Sequence, residues 1–261
     1  MKKILGIDVG GTKIIYAVLN EKGDFLTDIK KISTSKQIDD LVGQFRTIIN
    51  EYENQIDIVA FATAGAVNLN NTRVESSTPN LPSGYNSIDF SSLSNKPVYV
   101  ENDANAAAWA EYKTGAAIGD NNTIIITLGT GVGGGFIING SLLRGKSGRA
   151  GEVGSMKIQG RGRICTCGRK DCFESYASGS GLKFTAIETA KNDDLFLTSI
   201  YKSKSPEEIT TYDIINGLKE NDEYSKKVFN IWQNDLTVGL INIVNIFDPD
   251  SIVLSGGMGE F

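Results

Sequence analysis

Two stretches of this chain share one plan: a short β-rich run, a turn of small residues, and a second β-rich run. The first covers residues 4–9, then Gly10, Gly11 and Thr12, then residues 13–19. The second covers residues 123–128, then the glycine-rich stretch 129–135, then residues 136–138. Apolar, β-branched runs joined by a tight small-residue turn read as hairpins. One such unit opens each half of the chain, which predicts two domains built on similar sheets. The glycines also carry chemistry. Backbone N–H groups without side chains in the way can converge on one point, so each turn is a candidate phosphate cradle. Gly10, Gly131 and Gly133 are expected there for positive φ or for close backbone approach. Neither turn is a Walker A loop, since no Gly-Lys-Ser/Thr follows. Asp8, at the end of the first run, is placed to hold magnesium through water.

Between these units strands and helices alternate, the pattern of an α/β protein. Residues 25–32 read as a third strand and residues 56–61 as a fourth. Ile38, Leu41, Val42, Phe45, Ile48, Ile49 and Tyr52 recur at helical spacing and form a core face. The fourth strand runs into Ala-Thr-Ala-Gly-Ala-Val at 62–67, a small-residue loop. Residues 68–94 are rich in Asn, Ser, Pro and Gly, and a loop of that length is usually functional. Asn80 within it reads either as a turn former or as a ligand contact. Two glycines and an Asp-Asn-Asn cluster in 114–122 place the domain boundary there, with domains 1–116 and 117–261. Residues 180–192, 206–220 and 224–247 read as helices. The last carries Val228, Ile231, Trp232, Leu240, Ile243, Val244 and Phe247 on its apolar side, and Pro249 ends it. Residues 251–254 are a strand. Gly256 and Gly257 beyond it make a turn at which the backbone can approach a base or ribose.

The stretch YVENDANAAAWA at 99–110 is the candidate centre of the chemistry. A buried strand ends there and an alanine-rich helix starts at once. Asp103 sits at the junction. It reads either as an N-cap that accepts the first free amides of the helix, or as a general base kept ionised by the helix N-terminus. Glu101 and Asn102 crowd two more polar groups onto the same strand end, where α/β proteins place ligands.

Composition narrows the function classes. A net charge of −5 with scattered Lys and Arg disfavours nucleic acid or an acidic membrane as partner. No apolar run approaches transmembrane length. The absence of histidine excludes any histidine-dependent triad or histidine metal ligand. The 3 cysteines, Cys165, Cys167 and Cys172, are spaced C-x-C-x4-C with Glu174 two residues on. An odd, clustered set predicts zinc held by thiolates in a reducing cytoplasm rather than disulfides. In RGKSGRAGEVGS at 144–155, Glu152 is flanked by small residues, which suits a carboxylate that reaches a ligand.

DVGGTK at 8–13, ENDANAAAWAE at 101–111, LGTGVGGG at 128–135, GEVG at 151–154 and CTCGRKDCFES at 165–175 together resemble the ROK family of bacterial sugar kinases and sugar-responsive repressors. The resemblance runs in register to SGGMG at 255–259. It implies an α/β, actin-like (ribonuclease H-like) fold of two domains with a cleft. It implies ATP-dependent phosphorylation of a hexose or N-acetylhexosamine at the 6-hydroxyl. Asp103 matches the family's general base. The sugar contacts it implies are Gly65, Asn80, Asn102, Asp103, Glu152, Ser155 and Glu174. ATP phosphates would lie against Gly10, Gly11, Thr12 and Lys13 and against Gly129, Thr130, Gly131 and Gly133, with Mg²⁺ near Asp8. Adenine and ribose would lie near Gly256 and Gly257. A cytoplasmic homodimer is expected.

Three departures stand out. The family's G-E-x-G-H ends here in Ser155, where the histidine would bind zinc and touch the sugar. Its P-G-x-V reads Ala64-Gly65-Ala66-Val67. The closing segment that usually follows the SGGMG-like turn is not in this sequence. A serine is a poor zinc ligand, so zinc on Cys165, Cys167 and Cys172 is expected to be weakened or absent. The alternatives are a non-catalytic sugar sensor or repressor, and a degenerate kinase. The repressor reading lacks its helix-turn-helix ahead of the first strand.

Overall fold

The computed structural model describes residues 1–158 and 160–259. It divides into two compact units. One holds Met1–Asn121 and Gly135–Gly151; the other holds Asn122–Gly134 and the residues from Glu152 onward.

In chain order the first unit begins with β1 (Lys3–Val9), β2 (Lys13–Asn20), β3 (Lys30–Ser33), α1 (Ile38–Tyr52) and β4 (Ile58–Thr63). It continues with β5 (Ala66–Val67), β6 (Val74–Ser76), β7 (Val98–Asn102) and α2 (Asp103–Thr114). Its main sheet runs β3-β2-β1-β4-β7. β1, β2 and β3 are antiparallel, whereas β1, β4 and β7 are parallel. Alternation along β1 sends Leu5, Ile7 and Val9 into a core with Leu41, Phe45 and Ile49 of α1. The other face of the sheet lines an apolar cavity of about 1030 Å³ with Ile4, Gly6, Ile15, Phe25, Tyr99 and Trp109. Register sets the functional edge: Val9 pairs with Thr63, and Thr63 with Asn102. The carboxyl ends of three parallel strands therefore line up, and Asp8, Gly65, Asn102 and Asp103 follow or flank those ends.

The third strand is shorter than the sequence predicts. Only residues 30–33 are strand, and Phe25 makes an isolated bridge to Leu19. The Val18 N–H is taken by the Thr27 hydroxyl at 3.0 Å, so a side chain replaces the carbonyl that would continue the ladder.

The second unit opens with β8 (Thr123–Leu128) and the start of β9 (Val132–Ile138). The hairpin strand β10 (Ser141–Leu142) follows in chain order and belongs, like the rest of β9, to the first unit. Then come α3 (Glu174–Ala177), α4 (Gly179–Asn192), α5 (Leu195–Thr198), α6 (Thr211–Lys219), α7 (Glu223–Phe247) and β11 (Ser251–Ser255). The strand order is β10-β9-β8-β11, with β8 and β11 parallel. Ile124, Ile125 and Ile126 are all buried, and side chains alternate along a strand, so both faces of β8 are covered; Leu182, Tyr224, Val228 and Trp232 of the helices are buried as well. The Tyr224 hydroxyl donates to Ala186 O at 2.7 Å, and the Trp232 indole N–H donates to Ser178 O at 3.0 Å.

Three expectations change here. The glycine-rich turn is short: the Gly129 N–H donates to Gly131 O, and Gly133 already lies in β9. Gly135, also in β9 but within the first unit, packs against α2 of that same unit, where a Cβ would lie 2.3 Å from Ala108 Cβ. Residues 206–220 form two elements, because Thr210 leaves helical geometry to cap α6 in a box with Asp213. On α7, Val244 is exposed, while Asp235 turns inward and pairs with Arg161.

Candidate active site

Sequence leaves Asp103 as cap or base, and the structure separates the two roles. Asn102 is the N-cap of α2: its Oδ1 accepts the Asn105 N–H at 3.0 Å. Asp103 is the first helical residue, with the Ala104 N–H on its Oδ1 at 2.9 Å. Asp103 is an exposed residue, but protein atoms close to its carboxylate partly desolvate it and raise its pKa, while the Ala104 N–H pulls the other way. Asp8 is also raised, first by desolvation and then by the negative charge of Asp103.

Around Asp103 the first unit gathers most of its expected site. Asn102 Nδ2 donates to Gly65 O at 3.0 Å. Gly65 has φ of 115°, and a Cβ there would lie 2.4 Å from Ser76 O, so only glycine fits. At the β1–β2 turn the Gly10 N–H donates to Lys13 O, and Thr12 and Lys13 are exposed. A Cβ on Gly11 would lie 2.8 Å from Asn80 Cβ, which brings Asn80 against the turn.

Three residues in this unit escape a sequence reading. Thr34 donates its hydroxyl to Gly10 O at 2.7 Å, and Lys36 Nζ donates to the carbonyls of Gly11 and Asn80. Arg144 pairs with Glu101, which also accepts from Asn71, Asn105 and the Asn102 N–H. Their partners lie from about twenty to more than forty residues away, so no local pattern marks them.

In the second unit the turn after β8 meets several segments. The Gly179 N–H, at the start of α4, donates to Gly129 O at 2.8 Å. Met258 N–H donates to Leu128 O, and Gly256 (φ 89°) lies so close to β8 that a Cβ would be 2.6 Å from Leu128 O. Thr130 is exposed, and nothing lies within 4 Å of a Cβ built on Gly129 or Gly257. An open glycine turn beside a helix N-terminus is a setting for phosphate. Neither Gly10 nor Gly131 has positive φ, so Gly131 serves close approach: its missing Cβ makes room for Glu174. Gly154 packs on Val132, and the Ser155 N–H donates to Glu152 O, which sets the exposed Glu152 beside the start of β9.

The metal-ligating atoms of Cys165, Cys167 and Cys172 all lie within 4.8 Å of one another. The Cys167 and Cys172 sulfurs are 3.6 Å apart. That spacing is what thiolates around one zinc require. Arg169 donates to the Cys167 sulfur and lowers its pKa to about 6, whereas burial pushes Cys172 up to about 12. Asp171 braces the loop from within, accepting the Gly162 N–H and the Tyr176 hydroxyl at 2.6 Å each.

A sequence model of the ROK family matches residues 4–261. The chain belongs to the ROK family.

Among ROK proteins it is 32% identical over 264 residues to a glucokinase of Streptomyces coelicolor, covering 98% of this chain and 82% of that one. It is 32% identical over 268 residues to an N-acetylmannosamine kinase of Yersinia pestis, covering 99% and 84%. The solved structure of a ROK glucokinase from Streptomyces griseus, in complex with glucose and AMPPNP, superposes with a TM-score of 0.80 at 31% identity. That match covers 98% of this chain and 83% of the other. The fold is thus the actin-like α/β fold of ROK sugar kinases, as the motifs imply. Among the described residues no helix is long and apolar enough to cross a membrane.

Proposed function

We propose that this ROK protein transfers the γ-phosphoryl group of ATP to the 6-hydroxyl of a hexose or N-acetylhexosamine. The observation that carries this reading is the division of labour at residues 102 and 103. Because Asn102 caps α2, Asp103 is not spent on capping and is available as a base. In the first unit, Gly65, Asn80, Asn102 and Asp103 are the sugar contacts, and Gly10, Gly11, Thr12 and Lys13 meet phosphate. In the second, Glu152 and Ser155 face the sugar, Gly129, Thr130, Gly131 and Gly133 meet phosphate, and Gly256 and Gly257 meet adenosine. Glu174 is the remaining sugar residue of the resemblance; here its carboxylate already accepts the Val132 N–H and the Thr166 hydroxyl.

Asp103 takes the proton of the sugar hydroxyl as that oxygen attacks the γ-phosphorus. The bond to the β-phosphate oxygen breaks, ADP leaves, and the proton passes from Asp103 to solvent. Backbone N–H groups of the glycine turns offset charge on the transferring group. Magnesium, when bound near Asp8, supplies further positive charge there. Cys165, Cys167 and Cys172 would hold zinc, which when bound would pin the loop that leads into Glu174.

A coupled ADP-release screen over glucose, mannose, fructose, N-acetylglucosamine and N-acetylmannosamine tests the reading, with Asp103→Asn as control. ADP release that needs both one of these sugars and Asp103 is the expected result. Sugar-independent ADP release, or none with any sugar, overturns it.

A further inference from the structure

Four donors converge on the Glu101 carboxylate. Its Oε1 accepts the Asn102 N–H at 2.9 Å and Asn105 Nδ2 at 3.1 Å. Its Oε2 accepts Asn71 Nδ2 at 3.0 Å and pairs with the Arg144 guanidinium. The side chain is only 18% exposed, so these bonds rather than bulk water hold its charge. An ionised carboxylate is acceptor-only, with room for four such bonds. An amide of the same shape is not equivalent, because its NH₂ must face donors on one side or the other.

The four partners come from three segments of the first unit. Asn102 and Asn105 belong to the β7–α2 junction. Asn71, with φ of 57°, lies between β5 and β6 and also grips β7: its Nδ2 donates to Val100 O at 2.8 Å, and its O accepts the Val100 N–H at 2.8 Å. Arg144 follows β10. At the junction the bonds close a ring. Glu101 holds the Asn102 N–H and the Asn105 side chain, and the Asn105 N–H goes to Asn102 Oδ1 at 3.0 Å. Asn102 in turn reaches Gly65 O. Asp103 sits inside this ring, between Asn102 and Asn105. We propose that Glu101 is a positioning residue, which fixes the backbone at Asn102 and Asp103 in the orientation that phosphoryl transfer needs; this rests on the kinase reading above. It acts through those two residues. Misplacing a reacting group by about 1 Å costs on the order of 10²-fold in rate.

The test compares the parent with Glu101→Gln, Glu101→Asp and Arg144→Gln, each first checked for folding by circular dichroism. Two readouts are taken: sugar-dependent ADP release, and backbone amide exchange by mass spectrometry in peptides covering residues 98–108. Glu101→Gln should lower kcat about 10- to 100-fold, with the KM for ATP held within about twofold, and should speed exchange. The order of the two Glu101 variants separates positioning from packing. Gln keeps the shape and Asp keeps the acceptor-only carboxylate, so positioning predicts that Asp retains more turnover and more protection than Gln. The reverse order, or parent-like turnover and exchange in Glu101→Gln, overturns the proposal. Should Glu101→Gln not fold, Arg144→Gln decides: it removes one donor, and should lower kcat about two- to fivefold and speed exchange. No change in either overturns the proposal. A parent that releases no ADP with any sugar overturns the kinase reading instead, and the exchange order of the variants still decides whether Glu101 fixes the junction.

Discussion

The Cβ that residue 131 lacks would lie 2.3 Å from Oε2 of Glu174, the oxygen that accepts the Val132 N–H. An alanine at this position must push the carboxylate away or displace the turn. Gly131→Ala is expected to raise the KM for ATP about tenfold, equivalent to roughly 1.4 kcal/mol of binding. The KM for sugar moves much less. Steady-state kinetics with each substrate varied in turn checks this, and equal rises in both constants would mean the turn has no particular role in holding phosphate.

Asp103→Asn keeps the helix start and removes the base. Turnover should fall by roughly 10²- to 10⁴-fold. Sugar affinity, measured by calorimetric titration, stays close to that of the parent. Near-normal turnover in this variant would assign the proton to another group.

The raised pKa of Asp103 links activity and stability to pH. The acid limb of kcat/KM should lie above the ordinary aspartate value, since the carboxyl must lose its proton to act. Stability runs the other way. The folded state holds this proton more tightly than the unfolded chain does, so ionising Asp103 costs stability as pH rises through the folded pKa. Asp103→Asn escapes that cost. Its urea midpoint should exceed the parent's at neutral pH, and the gap should close below the unfolded pKa. A gap that widens toward acid would mean the carboxylate is favoured by its surroundings.

Asn102 makes two separable contacts, one to the Asn105 N–H and one to Gly65 O. Asn102→Ala loses both and should cost about 1–2 kcal/mol, of which the cap is the larger part. Asn102→Asp keeps a capping oxygen but cannot donate to Gly65, so it should retain most of the stability and still lose sugar affinity. Urea unfolding and sugar titration on both variants separate the contributions. Equal stability losses would show that the Gly65 contact, not the cap, carries the energy.

Sequence by itself determined the local elements and the chemical inventory. The helical period of residues 38–52, the β-branched runs around each glycine turn and the strand-to-helix junction at Asp103 depend on near neighbours, which propensity and periodicity describe. The cysteine spacing and the family motifs are equally local. Tertiary structure decided which residue does which task. Asn102 rather than Asp103 caps α2. Lys36 reaches Asn80, Arg144 reaches Glu101, Thr27 cuts β3 short, and Glu174 takes the space at Gly131. Most of these partners lie tens of residues apart in the chain. Side-chain contacts of that kind follow from packing and strand register, and no local window of sequence contains both partners.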